Sequence, residues 1–357
     1  MPSTPQLLVE FATRHQSHLE RLKSGYVKDV MPLLKDMEAM TVARLSRYNI
    51  TEFSRTRLER ELAAVRAAMQ SDLSGGIHEV WRRQVIEMAS YEAGFEVRNL
   101  DSVTINYDFT LPSSRQIESA VFSQPLQVRG PDGGKLLESF YEDWTERQVR
   151  AVEGVIRLGY VQGQTTPQIV RSIRDFGGVG EQTQRGFEMM TRTALQHSAH
   201  QAKQAVWQAN SDIVKKVRIV ATLDGRTTTQ CQALDGQEFP IDSGPRPPFH
   251  IGCRTTTTAA LDDRFKLLEE GATRRERDPE TGKVGSVPAN ETYYGWLKRQ
   301  PMDVQESIIG PTRAKLLNDG GLSAERFAEL QLGRNFQPLT LAEMRELDGV
   351  AFSRAGI

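Results

Sequence analysis

The chain has 357 residues, with 45 Lys and Arg against 46 Asp and Glu, six His and two Cys, and is 38% hydrophobic. That length holds two or three modules and an ample core, while a formal net charge of −1 argues against coating nucleic acid by bulk attraction. A mean hydropathy of −0.47, with no apolar run near the ~18 residues a span requires, excludes a membrane-spanning helix. Two cysteines make no disulfide framework. Met1-Pro2-Ser3-Thr4-Pro5-Gln6 carries neither a basic n-region nor an apolar stretch, so Sec export is not expected.

The first hundred residues read as helix. In Arg55–Leu73 the apolar positions Leu58, Leu62, Val65, Met69 and Leu73 form one stripe at helical period, with Arg57, Glu59, Arg60, Glu61 and Arg66 on the other faces. Gly75-Gly76 ends that run and Ile77–Ala93 restarts it. Leu7–Leu22 and Tyr26–Leu45 are expected to pair in the same way, with a break or kink near Pro32. Val103 to Leu111 then alternates like a strand, with Val103, Ile105, Tyr107, Phe109 and Leu111 on one face. Pro112, Pro125, Gly130-Pro131 and Gly133-Gly134 mark a connector with some extended structure.

Helix resumes from Leu136 to Tyr160. Thr166-Pro167 is a helix start, with Thr as N-cap and Pro at the first helical position, and Gly177-Gly178 and Gly180 close that short helix. A long helix follows over Thr183–Asn210. Val217, Ile219, Ala221 and Leu223 alternate into the turn signal Asp224-Gly225. From there to Ala260 the chain is rich in Thr, Gly and Pro. Charged Arg274–Lys283 reads as a solvated linker, and Thr292–Leu347 as short helices separated by Gly310-Pro311, Gly320-Gly321 and Pro338. The fold class is therefore α+β and predominantly helical. It comprises an N-terminal helical bundle (1–110), a connector with central helices (111–210), a small β-rich Cys/His module (211–262), and a linker with a C-terminal helical extension (263–357).

Common catalytic signatures fail. Gly134-Lys135 and Gly282-Lys283 lack the rest of a P-loop, and Gly178-Val179-Gly180 lacks the third glycine of a dinucleotide fingerprint. His78-Glu79 has no second histidine at 82, and no Gly-x-Ser-x-Gly elbow is present. His197 and His200, three apart on a helix, could share a metal, but no third ligand stands nearby.

One constellation is dense. Within thirty residues lie Asp224, Cys231, Asp235-Gly236, Pro247-Pro248, His250 and Cys253-Arg254. His250-Ile-Gly-Cys253 sets an imidazole and a thiol three apart, and Cys231 lies across a loop as a third soft ligand would; Asp224 could be a hard fourth. Zinc needs deprotonated thiolates and a neutral imidazole, both feasible near pH 7 once the metal is bound. Three readings stand open: structural zinc fixing a loop-rich hairpin, two free thiols or a disulfide beside a hydrogen-bonded His250, and an open, catalytic zinc. In the last, Asp224, Asp235 or Glu238 would be the general base. Arg254 is expected to pair with Asp224 or Asp235.

Taken in order, these residues resemble a known family. Arg192-Thr193-Ala194, Trp207, Ala221-Thr-Leu-Asp224-Gly-Arg226-Thr227, Cys231, Leu234-Asp235-Gly236 and Pro247-Pro248-Phe-His250-Ile-Gly-Cys253-Arg254 resemble the phage Mu F-like minor head proteins. Tyr294-Gly-Trp296, Gly310-Pro311-Thr-Arg313 and Leu339-Thr-Leu341 look like the tail many members carry, so the likeness spans about Thr165–Leu347. Members often close the loop with Cys-Arg-Cys, whereas this chain has Cys253-Arg254-Thr255. The resemblance implies a non-enzymatic minor capsid protein of a tailed bacteriophage, assembled in the host cytoplasm and residing in the capsid interior near the portal. Its implied partners are the portal protein and other capsid or scaffolding proteins, supporting procapsid assembly and DNA packaging. Delivery with the genome as a DNA-ejection protein is the alternative within that setting. The basic run Lys215-Lys216-Val217-Arg218 would either touch packaged DNA phosphates or protect a strand edge.

Overall fold

A computed structural model of the protein describes residues 4–104, 107–174, 179–261 and 272–357. Its first helix, α1 (Thr4–Leu45), runs unbroken for 42 residues with Pro32 inside it. The expected pair of helices is thus one. Leu8, Leu19, Val30, Leu34 and Met37 are buried on both sides of Gly25 and Pro32, and this packing outweighs the roughly 1 kcal/mol a glycine costs a helix and the larger cost of a proline. α2 (Arg55–Ser74) buries the whole predicted stripe, and the Ser54 hydroxyl accepts from the Arg57 amide to cap it. α3 (Gly76–Asp101) extends eight residues past the predicted end.

The predicted strand after α3 does not form over its described part, and Ile105 lies outside the described residues. In place of a partner strand the chain meets one side chain: Asn210 accepts from the Thr110 amide at 2.8 Å and donates to the Thr110 carbonyl at 3.0 Å. Inside the connector a capping box of Ser113 and Gln116 starts α4 (Ser114–Ser123). α5 (Leu137–Val161) and α6 (Thr166–Arg174) follow as predicted within a residue or two. Gln168 reaches back to the Thr165 amide and hydroxyl, so Thr165 takes the capping role expected of Thr166. The Thr166 hydroxyl instead accepts from the Ile50 amide and donates to the Tyr48 carbonyl. Gly177 and Gly178 lie outside the described residues, while Gly180 does not close α6: it lies within the next helix, which is already formed at Val179, four residues before the expected Thr183.

α7 (Val179–Ala209) is the central element, packed against α1, α3, α4 and α5. Its contact with α3 is polar as well as apolar. Ser198 donates to the Val85 carbonyl at 2.6 Å, Trp207 Nε1 donates to Glu96 at 2.7 Å, and Lys203 lies 3.5 Å from Glu92, which also pairs with His15 of α1. Burial alone would raise the Glu92 carboxyl; Lys203 and His15 outweigh it and hold it below the usual range.

β1 (Val214–Val220) is the middle strand of an antiparallel sheet, flanked by β2 (Glu238–Pro240) and β3 (Thr256–Leu261). Two of the three basic residues of the run share one carboxylate across the ladder, since Glu238 lies 2.5 Å from Arg218 and 3.9 Å from Lys216. Arg274–Lys283 is not a solvated linker: β4 (Thr273–Arg277) pairs with β5 (Val284–Pro288) in a hairpin whose turn is organised by Asp278, accepting from the Glu280 and Thr281 amides. The outer edge of β4 meets α1, where Glu10 accepts from the Thr273 amide, and Leu223, whose carbonyl accepts from the Arg277 amide at 2.8 Å. The C-terminal helices are α9 (Tyr293–Lys298), α10 (Met302–Ile309), α11 (Pro311–Asp319), α12 (Ala324–Glu329), α13 (Leu341–Leu347) and α14 (Gly349–Arg354); three of their breaks fall at the predicted Gly310-Pro311, Gly320-Gly321 and Pro338, and two more, before Met302 and at Asp348, were not expected.

One apolar core runs from Leu8 through the bundle and connector to Val217, Ala259 and Leu261 of the sheet. The limits at 110 and 210 therefore do not fall at breaks in packing. A second core joins Tyr293, Tyr294, Trp296, Phe327 and Phe352 to Leu223 and Ala233 of the module.

His197 donates Nε2–H to the Val121 carbonyl at 3.1 Å within the first core, and burial pushes its pKa down to about 4. Unfolded, the imidazole titrates near 6.5, so its stabilising contribution is complete above that pH and is lost as pH falls toward about 4. Urea denaturation at pH 7 and pH 5 should show a loss on the order of 2 kcal/mol from this residue. The loss should shrink in His197→Gln.

Candidate functional site

Cys231 lies on α8 (Thr229–Leu234), between β1 and β2. His250 and Cys253 lie on the long loop between β2 and β3, which several contacts shape. The Pro247–Pro248 peptide bond is cis, and the Cys253 amide donates to the His250 carbonyl at 3.1 Å. Gly252 sits at φ +72, a left-handed conformation that favours glycine. Two residues of α7 hold the loop from outside: the Thr193 hydroxyl accepts from the Gly252 amide at 2.9 Å, and Gln196 donates to the Thr255 carbonyl at 2.7 Å.

This framing brings three of the predicted ligands together. The Cys231 sulfur is 3.8 Å from that of Cys253 and 3.5 Å from His250 Nε2. All three donor atoms lie within 4.8 Å of one another. His250 Nδ1 is 3.0 Å from the Ile251 carbonyl. A carbonyl can only accept, so Nδ1 carries the proton and Nε2 faces the sulfurs. Burial alone would raise the Cys253 thiol, but hydrogen bonds from Cys231 and His250 outweigh it and hold it well below the usual range. The Cys231 thiol, hydrogen-bonded to Cys253 and buried, is pushed well up. Burial would lower His250, yet its contact with Cys253 raises it. Without a metal the trio therefore resembles one thiolate, one thiol and an imidazole sharing protons.

Asp224, expected as a fourth ligand, is engaged elsewhere. Its oxygens accept from Arg254 at 2.6 and 2.9 Å and from the Arg226 amide at 3.0 Å. Burial would raise its carboxyl, and Arg254 outweighs burial and keeps it low. Of the two partners considered for Arg254, Asp224 is the one it takes. Asp235 binds a different arginine, Arg274, at 2.8 and 3.0 Å, and also accepts from the amides of Ala221 and Tyr293. Glu238 stands apart with Arg218. His197 and His200 do not converge, since His200 Nδ1 meets the Thr257 hydroxyl at 2.9 Å while His197 turns to Val121.

A cavity of about 180 Å³ opens onto Cys231 and His250, bordered by Thr222, Arg226 and Arg254. A larger one of about 760 Å³ reaches Cys253 and lies between α1, α7 and the β4–β5 hairpin. Lys23 of α1 is buried against it, with Nζ 2.8 Å from Glu20 and bonded to Gln196. Arg274 and Thr193 carry the geometry without having been singled out as site residues. Thr193 was legible as part of the Arg-Thr pair, whereas Arg274 had no local signal within its run of charges.

The region that carries this geometry is similar to a known family. Residues 150–258 match Phage Mu protein F like protein. The Mu F-like segment runs from within α5 to β3 and so contains Thr193, Asp224, Cys231, Asp235, His250 and Cys253. It begins before Thr165 and ends short of the hairpin and the C-terminal helices that the resemblance included. No curated protein and no solved structure matches the chain.

Within the Mu F-like segment, Asp235 depends on an arginine supplied from beyond its end. Arg274→Ala should therefore leave a buried carboxylate without its charge partner and lower stability by about 3–5 kcal/mol, read by urea denaturation. Arg277→Ala, on the same strand with an exposed side chain, should stay within about 0.5 kcal/mol.

Proposed function

We propose that the chain is a minor structural component of a tailed-bacteriophage head, lying inside the capsid near the portal and supporting procapsid assembly and DNA packaging. The observation that carries this reading is the match of residues 150–258 to Phage Mu protein F like protein, over the stretch in which α7, the three-stranded sheet and the Cys/His loop hold one another. A near-neutral charge favours protein surfaces over the genome as the main contact. The pairing of Arg218 and Lys216 with Glu238 points the same way, because it offsets one of the three positive charges of the basic run.

The portal protein is the expected partner, with capsid or scaffolding subunits beside it. Co-sedimentation of the purified chain with assembled portal rings should show saturable association that survives 0.5 M salt, a concentration at which screening falls to within about 4 Å. Absence of association would remove the portal assignment. Heads emptied of DNA should retain the chain by mass spectrometry. Loss from emptied heads, with salt-sensitive DNA binding, would replace this reading with that of a DNA-ejection protein.

A further inference from the structure

We infer that Cys231, His250 and Cys253 bind one zinc ion through three protein ligands, and that the fourth coordination position is open to the cavity beside them and is filled by water or a small anion. A tetrahedral zinc with bonds of about 2.3 Å to sulfur and about 2.0–2.1 Å to nitrogen sets sulfur–sulfur at about 3.8 Å and sulfur–nitrogen at about 3.6 Å. Cys231 stands 3.8 Å from Cys253 and 3.5 Å from His250 Nε2. Two edges of that tetrahedron are thus already in place, and the third, from Cys253 to His250 Nε2, lies within 4.8 Å.

The surroundings suit the ion. Nδ1–H of His250 is fixed on the Ile251 carbonyl, which leaves Nε2 as the ligating nitrogen and supplies the outer hydrogen bond that metal-bound histidines use. Thr193 and Gln196 brace the loop against α7, so the ligands are held before the ion arrives. Two thiolates balance the charge of Zn²⁺.

The fourth position follows from what Asp224 does. Arg254 holds both its oxygens, and among the described residues no further His, Cys, Asp or Glu joins the three. The cavity of about 180 Å³ meets Cys231 and His250, room enough for a solvent ligand. Arg226 and Arg254 on its wall favour an anionic occupant such as hydroxide, chloride or cyanide. This inference is independent of the head-protein reading and survives or fails without it.

The test uses the full chain, purified from zinc-supplemented cells without chelator. Elemental analysis should return about one zinc per chain, and a mercurial that titrates the two thiols should release it. Replacement by Co²⁺ should give an intense thiolate-to-metal band in the near ultraviolet, together with visible bands that move when cyanide is added. Asp224→Asn should keep full zinc content. Cys253→Ser and His250→Ala should each weaken zinc binding more than about 100-fold, beyond what loss of an outer-shell contact causes. Wild-type protein without zinc, or with an intact mass two hydrogens short from a Cys231–Cys253 disulfide, would overturn the site. Cobalt bands unmoved by cyanide, or loss of zinc in Asp224→Asn with the fold intact by circular dichroism, would overturn the open fourth position. Because the mercurial release and the cobalt spectra need no variant, a misfolded substitution does not affect the test.

Discussion

The buried pair of Asp235 and Arg274 is the constraint on which the module's arrangement rests. Asp235 sits where α8 ends and accepts four hydrogen bonds, two from Arg274 and one each from the amides of Ala221 and Tyr293. Arg274 gives two further hydrogen bonds to the carbonyls of Ala221 and Glu291, and of its guanidinium nitrogens Nε is the one left without a partner among the described residues. One ion pair therefore fixes the end of β1, the hairpin and the start of α9 relative to each other. Two buried charges are tolerable in such a place only when nearly all their hydrogen-bonding capacity is used. Asp224, three residues after Ala221, inherits its position from that junction, and through Arg254 so does the loop that carries His250 and Cys253.

α7 supplies the other support, and it does so with polar groups on two faces. Thr193, Gln196, His200 and Lys203 reach the Cys/His loop and β3, while His197, Ser198 and Trp207 reach α4 and α3. A helix buried on nearly every side would ordinarily be uniformly apolar. Here specific hydrogen bonds replace bulk apolar contact, which fixes the rotation of α7 about its axis. A quarter turn would aim Thr193 away from Gly252 and leave several buried donors unpaired.

The apolar stripe of α2 and the Gly and Pro breaks of the last hundred residues were legible because each is a local pattern with a local cause. The cluster of Cys231, His250 and Cys253 was legible as well, because soft ligands are rare in this chain and fall within one module. What escaped depends on distant partners. Nothing near Gly25 or Pro32 announces that α3 and α7 will hold α1 straight, and nothing near Val103 announces that Asn210 will stand in for a strand. Asp224 has the chemistry of a ligand and is removed from that role by Arg254. The hairpin was the avoidable miss: Asp278-Pro279-Glu280-Thr281-Gly282 is turn chemistry, masked by the density of charge around it.

The docking of α1 along the edge of β4 sets a clock on biosynthesis. Glu10 and Thr273 are 263 positions apart, and at the usual pace of translation the ribosome needs on the order of ten to fifty seconds to cover that distance. During that interval the nascent bundle carries a helix with one face still waiting for its strand. The hairpin that ends the wait also brings Arg274, which secures Asp235. Final consolidation of the Cys/His module is thus delayed until the hairpin has been made, and a nascent chain stalled before Thr273 would hold its thiols in an unfinished frame.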